Sequence, residues 1–122
     1  MKENIIQDKS YAFALNIIKL YQHLTSTKKE FVLSKQLLKC GTSIGANVEE
    51  AIGGQSRADF ISKLSIAYKE ARETCYWLRL LKDSNYLTES EFTPMYDDAA
   101  ELCKIITAIQ RTTKSSSAPV LP

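Results

Sequence analysis

Two glutamate pairs, the adjacent Glu49 and Glu50 and the spaced Glu70 and Glu73, are the residues best suited by type to move a proton or polarise a water. Paired carboxylates do general acid–base work when they share one environment that pushes their proton affinities apart. The plainer role, preferred here, is that Glu70 and Glu73 pair with Lys or Arg of a neighbouring helix or subunit. Nothing else completes a catalytic centre. His23 is the single histidine, and neither G-x-S-x-G nor a Cys/His pairing occurs. A di-iron bundle needs Glu-x-x-His on two helices, and the chain has none, so no metal and no cofactor are expected. The stretch GTSIGANVEEAIGG carries glycines but lacks G-x-x-x-x-G-K-[ST] and follows no strand, which excludes a phosphate loop. The chain reads as a non-enzyme.

The basic side chains make a better case for a partner. Lys69, Arg72 and Arg79 follow one outer helical stripe, with Ser62, Ser65 and Tyr76 among them. Lys35 and Lys39 stand one turn apart upstream, preceded by Lys28 and Lys29. Such cations attract phosphates by charge and counterion release, and a tyrosine can stack on an unpaired base. A solvated face is the ordinary alternative. Lys35, Lys39, Lys69, Arg72 and Arg79 are the candidate contacts to RNA or DNA. The net charge of +2 hides a division: residues 1–82 sum to +5 and residues 83–122 to −3. A basic front and an acidic last helix suit either an anionic partner or subunit pairing.

Hydrophobic residues at 44% and charged residues at 25% describe an ordinary soluble protein, and 122 residues suffice for one core. No run is apolar enough to span a membrane, and MKENIIQDKS lacks the pattern of a signal peptide. The expected location is the cytoplasm. Cys40, Cys75 and Cys103 are odd in number and show no metal spacing, so they read as reduced thiols packed as small apolar groups.

The elements that position these residues are helical. Few Gly and Pro interrupt the chain before its end. A first helix is expected over about 8–24, capped by Asp8 or Ser10. Its apolar face is Tyr11, Ala14, Ile18 and Tyr21, widened by Phe13, Ile17, Leu20 and Leu24. TSTKKEFVL reads as an extended connector. Ser34 then caps a second helix ending at a left-handed Gly53-Gly54, with Leu37, Gly41, Ile44, Val48 and Ala51 or Ile52 as its core stripe. Gly41 and Gly45 each weaken a helix by about 1 kcal/mol relative to alanine, which implies close approach of another backbone or else a break near Gly45. Beside that stripe lie Ser43, Asn47 and Glu50, read as a buried interhelical lock that fixes register, with a ligand contact as the sharper alternative.

Ser56 caps a third helix reaching about residue 84. Its core stripe is Phe60, Leu64, Ala67, Ala71, Cys75 and Leu78. A second apolar stripe of Ile66, Trp77 and Leu80, interleaved with Glu70 and Glu73, suggests a further packing surface between subunits. Thr88 and Glu91 form a capping box for the fourth helix. Pro94 lies deep enough to predict a kink or a short separate helix. Residues 1–114 make an all-α, antiparallel up-down four-helix bundle, and 115–122 a mobile tail.

The most specific stretch is residues 34–81. Within SKQLLKCGTSIGANVEEA, Ser43, Ile44, Ala46, Asn47, Val48 and Glu50 match an S-I-x-A-N-[IV]-x-E segment. Within ADFISKLSIAYKEARETCYWLRLL, Asp59, Phe60, Ile61, Leu64, Ile66 and Ala67 match D-F-[IL]-x-x-L-x-[IV]-A, followed by Glu70, Glu73, Tyr76, Trp77 and Leu78. On these residues the chain resembles the four-helix-bundle proteins encoded in 23S rRNA intervening sequences, often labelled ribosomal. The resemblance covers nearly the whole chain. It implies an up-down bundle assembled as a homo-oligomer, a ring-like pentamer, with no known enzymatic activity. Gly41, Gly45, Asn47, Glu50, Glu70 and Glu73 then serve packing and register. The accessory proteins of diversity-generating retroelements, which work with a reverse transcriptase and its RNA, look similar in fold but carry more basic surfaces. Two readings follow: a nucleic-acid-binding oligomer, or a protein-interaction scaffold that binds no nucleic acid.

Overall fold

The structure is a computed structural model that describes residues 4–115. It contains four helices, α1 (Ile5–Ser26), α2 (Leu33–Ile52), α3 (Arg57–Asp83) and α4 (Glu89–Ser115). The connections, residues 27–32, 53–56 and 84–88, are too short for anything but antiparallel neighbours. Each helix packs on the next and α4 closes onto α1, while the backbones of the diagonal pairs α1–α3 and α2–α4 stay apart. The fold is therefore an all-α up-down four-helix bundle. The α1–α2 and α3–α4 faces lie on opposite sides of it. The boundary expected at residue 114 falls at the edge of the description. Ser115 closes α4, and the rest of the expected tail lies outside the described residues. No helix among the described residues is long and apolar enough to cross a membrane.

The caps agree with sequence chemistry at two starts and differ at two. Ser56 Oγ accepts from Asp59 N at 3.0 Å. Thr88 and Glu91 make the reciprocal box, with Thr88 N donating to Glu91 Oε1 at 2.8 Å and Glu91 N to Thr88 Oγ1 at 3.2 Å. Helix α1 begins earlier than expected because Asn4 Oδ1 accepts from Gln7 N at 3.1 Å, so neither Asp8 nor Ser10 is its cap. Nor does Ser34 cap α2. The acceptor is the buried Glu30 carboxylate, which takes the amides of Val32 (3.0 Å), Leu33 (2.8 Å) and Ser34 (2.6 Å). The Ser34 hydroxyl donates back to the Glu30 carbonyl at 2.8 Å. A carboxylate satisfies three orphan donors where a hydroxyl satisfies one, and its charge opposes the positive end of the helix dipole.

Neither Gly53 nor Gly54 adopts the left-handed conformation expected at the end of α2; Lys29 (φ 57°) and Asn85 (φ 69°) do so in the two other connectors. A Cβ at Gly54 would lie 2.6 Å from Asp59 Oδ2, which can swing aside, and 3.1 Å from the Ala51 carbonyl oxygen, which is fixed in α2.

The core is filled by Ile17, Leu24, Leu37, Ile44, Leu64, Leu78, Leu81, Leu102 and Ile106. On α1 the expected faces are exchanged. Phe13, Ile17 and Leu24 are buried, whereas Tyr11 is 64% exposed and Ile18 38%. Helix α2 runs unbroken through both interior glycines, which lie against α1. A Cβ at Gly45 would stand 3.3 Å from the Ser10 carbonyl oxygen, and one at Gly41 only 2.8 Å from Ile17 Cγ1. On α3, Thr74 and Leu81 join the core, while Phe60 and Cys75 are only half-buried. Trp77 of the second apolar stripe packs half-buried against the core and donates Nε1 to Glu73 at 3.2 Å.

The interhelical lock is not made by Asn47. Its Nδ2 donates to the Ser43 carbonyl at 2.9 Å and Ser43 Oγ at 3.0 Å, one turn back in the same helix. Cross-helix contacts come from the two glutamates after it. Glu49 accepts from Gln7 Nε2 of α1 at 3.0 and 3.2 Å, and Glu50 pairs with Lys63 of α3 at 2.9 Å. Helix α4 is one continuous helix with Pro94 inside it, so no separate short helix precedes it. Ser90 and Pro94 are both exposed, so water can serve the Ser90 carbonyl that proline leaves without a donor.

Candidate nucleic-acid interface

A groove of about 650 Å³ runs between the outer faces of α3 and α4. Tyr68, Arg72, Cys75, Tyr76 and Arg79 line it from α3, at spacings of three and four that keep them on one helical face. Tyr96, Ala100, Cys103 and Lys104 line it from α4. It continues into a smaller hollow of about 320 Å³ bounded by Tyr68, Cys103, Lys104, Thr107 and Arg111. Among the described residues, Glu73 is the only acidic one lining either hollow.

Arg72 is held in place: Nη1 donates to the Tyr68 hydroxyl at 3.1 Å, and the guanidinium carbon lies 5.9 Å from the centre of that ring. Ion pairs engage Lys9, His23, Lys63 and Lys82 with Glu101, Glu91, Glu50 and Glu89, away from the groove cations. Tyr96 stacks on Phe92 (centroids 5.0 Å apart), and Tyr76 meets Trp77 edge-on at 5.2 Å. The arrangement offers fixed positive charge beside phenol rings.

Of the five candidate cations, Arg72 and Arg79 share this groove. Lys69 is exposed near its rim but does not line it. Lys39 and Lys69 both act electrostatically on Glu70, on the side of α3 that faces α2. Lys35 is exposed near the start of α2. Lys104, Arg111, Tyr68 and Tyr96 are additional groove residues that sequence reading passes over. Their spacing on α4, from Tyr96 through Ala100, Cys103, Lys104 and Thr107 to Arg111, is a helical stripe, hidden by the net negative charge of that segment.

The carboxylate pairs do not form a proton-sharing site of the Glu49/Glu50 kind, since these two side chains reach opposite neighbours. Glu70 is half-buried; burial first and the nearby Glu73 second raise its pKa, against Lys69 and Lys39. Neither Glu70 nor Glu73 takes part in the ion pairs above, and Glu73 is engaged by Trp77. His23 Nε2 lies 3.1 Å from Glu91 Oε2. Among the described residues no three His, Cys, Asp or Glu side chains gather as a metal site.

The family model described as 23S rRNA-intervening sequence protein matches residues 2–108. The chain belongs to the 23S rRNA-intervening sequence protein family. A crystal structure of a protein of unknown function from the S23 ribosomal protein family of Bacteroides thetaiotaomicron is similar throughout, at 50% identity and a TM-score of 0.88, covering 91% of this chain and 99% of that one. No curated protein matches the chain. Neither the 23S rRNA-intervening sequence family nor this structural relative carries an enzymatic description.

Proposed function

We propose that this protein is a non-enzymatic, self-associating bundle that binds RNA or DNA along the α3–α4 groove. The observation that carries the reading is the gathering of Arg72, Arg79, Lys104 and Arg111 around Tyr68, Tyr76 and Tyr96, with a single glutamate among them. Such a surface holds phosphates by charge and unpaired bases by stacking, and selects little between sequences. Lys69, with Lys39 and Lys35 beyond it on α2, extends the positive surface from the groove rim.

Salt-dependent retention of single-stranded RNA, followed by fluorescence anisotropy, tests this reading. The double charge reversal Arg72→Glu with Arg79→Glu is expected to weaken binding at least about tenfold and to lower the salt slope by roughly 0.7 for each phosphate that is no longer neutralised. Both side chains are exposed, so the melting temperature should hold. Unchanged affinity removes the groove from the interface. Salt-insensitive or absent retention, together with a co-purifying protein, favours the protein-interaction scaffold instead.

Self-association has its own surface. Tyr11, Leu15 and Ile18, spaced along α1, present exposed apolar area beside a hollow of about 350 Å³ shared with Thr42, Gly45, Ala46 and Glu49 of α2. This α1–α2 face lies across the bundle from the basic α3–α4 groove, so both remain usable together. The pentameric ring is the assembly that the family resemblance implies. Leu15→Lys with Ile18→Lys is expected to reduce the particle to a monomer by light scattering with helicity intact; an unchanged mass would assign the assembly to another face.

A further inference from the structure

We propose that Cys75 and Cys103 form a reversible peroxide-oxidised pair that joins α3 to α4 across the groove. The two residues lie 28 positions apart in sequence but line the same open groove, each half-buried and each reduced. They face one another across the helix pair closely enough for each to influence the other's proton.

The surroundings favour one thiolate in this pair. The interaction between the two sulfurs comes first, holding one pKa down as the other rises; burial opposes the charge, and the Arg72 guanidinium lowers the pKa of both, with Arg79 adding to this at Cys75. Cys40 provides the contrast. It is 2% exposed, and burial, opposed by a Thr74 hydrogen bond, raises its pKa to about 11. A buried protonated thiol is inert, whereas an accessible thiolate beside a cation is the reactive form.

The chemistry balances with a hydroperoxide as the oxidant. One thiolate of the pair attacks a peroxide oxygen, the O–O bond breaks, and hydroxide leaves; sulfur is oxidised by two electrons to a sulfenic acid while the peroxide is reduced. The other sulfur then attacks the oxidised one, the S–O bond breaks, and the leaving hydroxide takes the second thiol's proton as water. A dithiol reductant returns two electrons and two protons and restores both thiols. The proposal is independent of nucleic-acid binding, which enters neither the geometry nor the test.

The test treats the full chain with hydrogen peroxide and follows thiols and peptides by mass spectrometry. The wild type is expected to drop from three free thiols to one, with a Cys75–Cys103 linked peptide that dithiothreitol reverses. Cys75→Ser and Cys103→Ser should each abolish the linked peptide, and with dimedone present each should trap a sulfenic acid on the cysteine that remains in the groove. Cys40→Ser should leave the linkage unchanged. Three surviving thiols in peroxide-treated wild type, linkage through Cys40, or only intermolecular disulfides would overturn the pair.

Discussion

Replacing Ile17 with alanine is expected to lower the unfolding free energy by about 2–5 kcal/mol, and adding Gly41→Ala should recover part of that loss. Ile17 is fully buried at the α1–α2 seam. Its side chain occupies the space over Gly41, where an added Cβ would meet Cγ1, Cδ1 and Cγ2 at 2.8–3.0 Å. In the wild type, Gly41→Ala therefore overpacks the seam, at about 1–3 kcal/mol, because a side chain with no exposed surface has nowhere to retreat. Once Ile17 is shortened, the same methyl enters the cavity and also recovers about 1 kcal/mol of helix propensity. The sign of Gly41→Ala should thus reverse between the two backgrounds. A denaturant-unfolding double-mutant cycle measures this, and simple additivity would show that Gly41 is not matched to Ile17.

Glu30→Ala is expected to destabilise the protein by about 3 kcal/mol, an unusual cost for a connector residue. The carboxylate is 7% exposed and accepts three backbone amides that have no helical partner. Removing it leaves those donors buried at the first turn of α2. Burial by itself raises the Glu30 pKa, but the amides of Leu33, Ser34 and Val32 outweigh it and hold the pKa below the ordinary carboxylate value. The folded pKa then lies under the unfolded one, so this stabilisation is complete above the unfolded value, near about 4.3, and is lost as pH falls through the folded value. Glu30→Gln preserves the shape and removes the titration. The gap in urea midpoint between wild type and Glu30→Gln should be wide near about pH 7 and narrow near about pH 3. A gap of equal width at both would mean that the charge contributes nothing.

These two sites show where local pattern suffices. The Ser56 cap and the Thr88–Glu91 box are legible because such caps are made within four residues of chain. Ser34 is the natural choice for α2 by the same rule, and it loses to Glu30, whose longer side chain reaches forward over the turn from within the connector. Periodicity along α1 finds a broad apolar surface but does not rank its two halves. The glycines of α2 decide it, since α1 approaches closely only where Ser10 and Ile17 meet Gly45 and Gly41. Tyr11, Leu15 and Ile18 are thereby turned outward. Glu50 and Asn47 share a stripe that reads as one buried lock, yet the two side chains part, Asn47 into its own helix and Glu50 to Lys63.

The sequence by itself determined four helices, most of their ends, the core stripe of α2, part of that of α3, and the family. Each of these follows from neighbours in the chain, through spacing, capping chemistry and the two interior glycines. Tertiary structure alone decided that Glu49 and Glu50 serve different helices, that Cys75 and Cys103 line one groove, and that Arg72 and Arg79 share it with Lys104 of the acidic α4. A helical period says which residues share a face. It does not say which face another helix covers, because that depends on the rotation each helix takes when all four bury their apolar surface together.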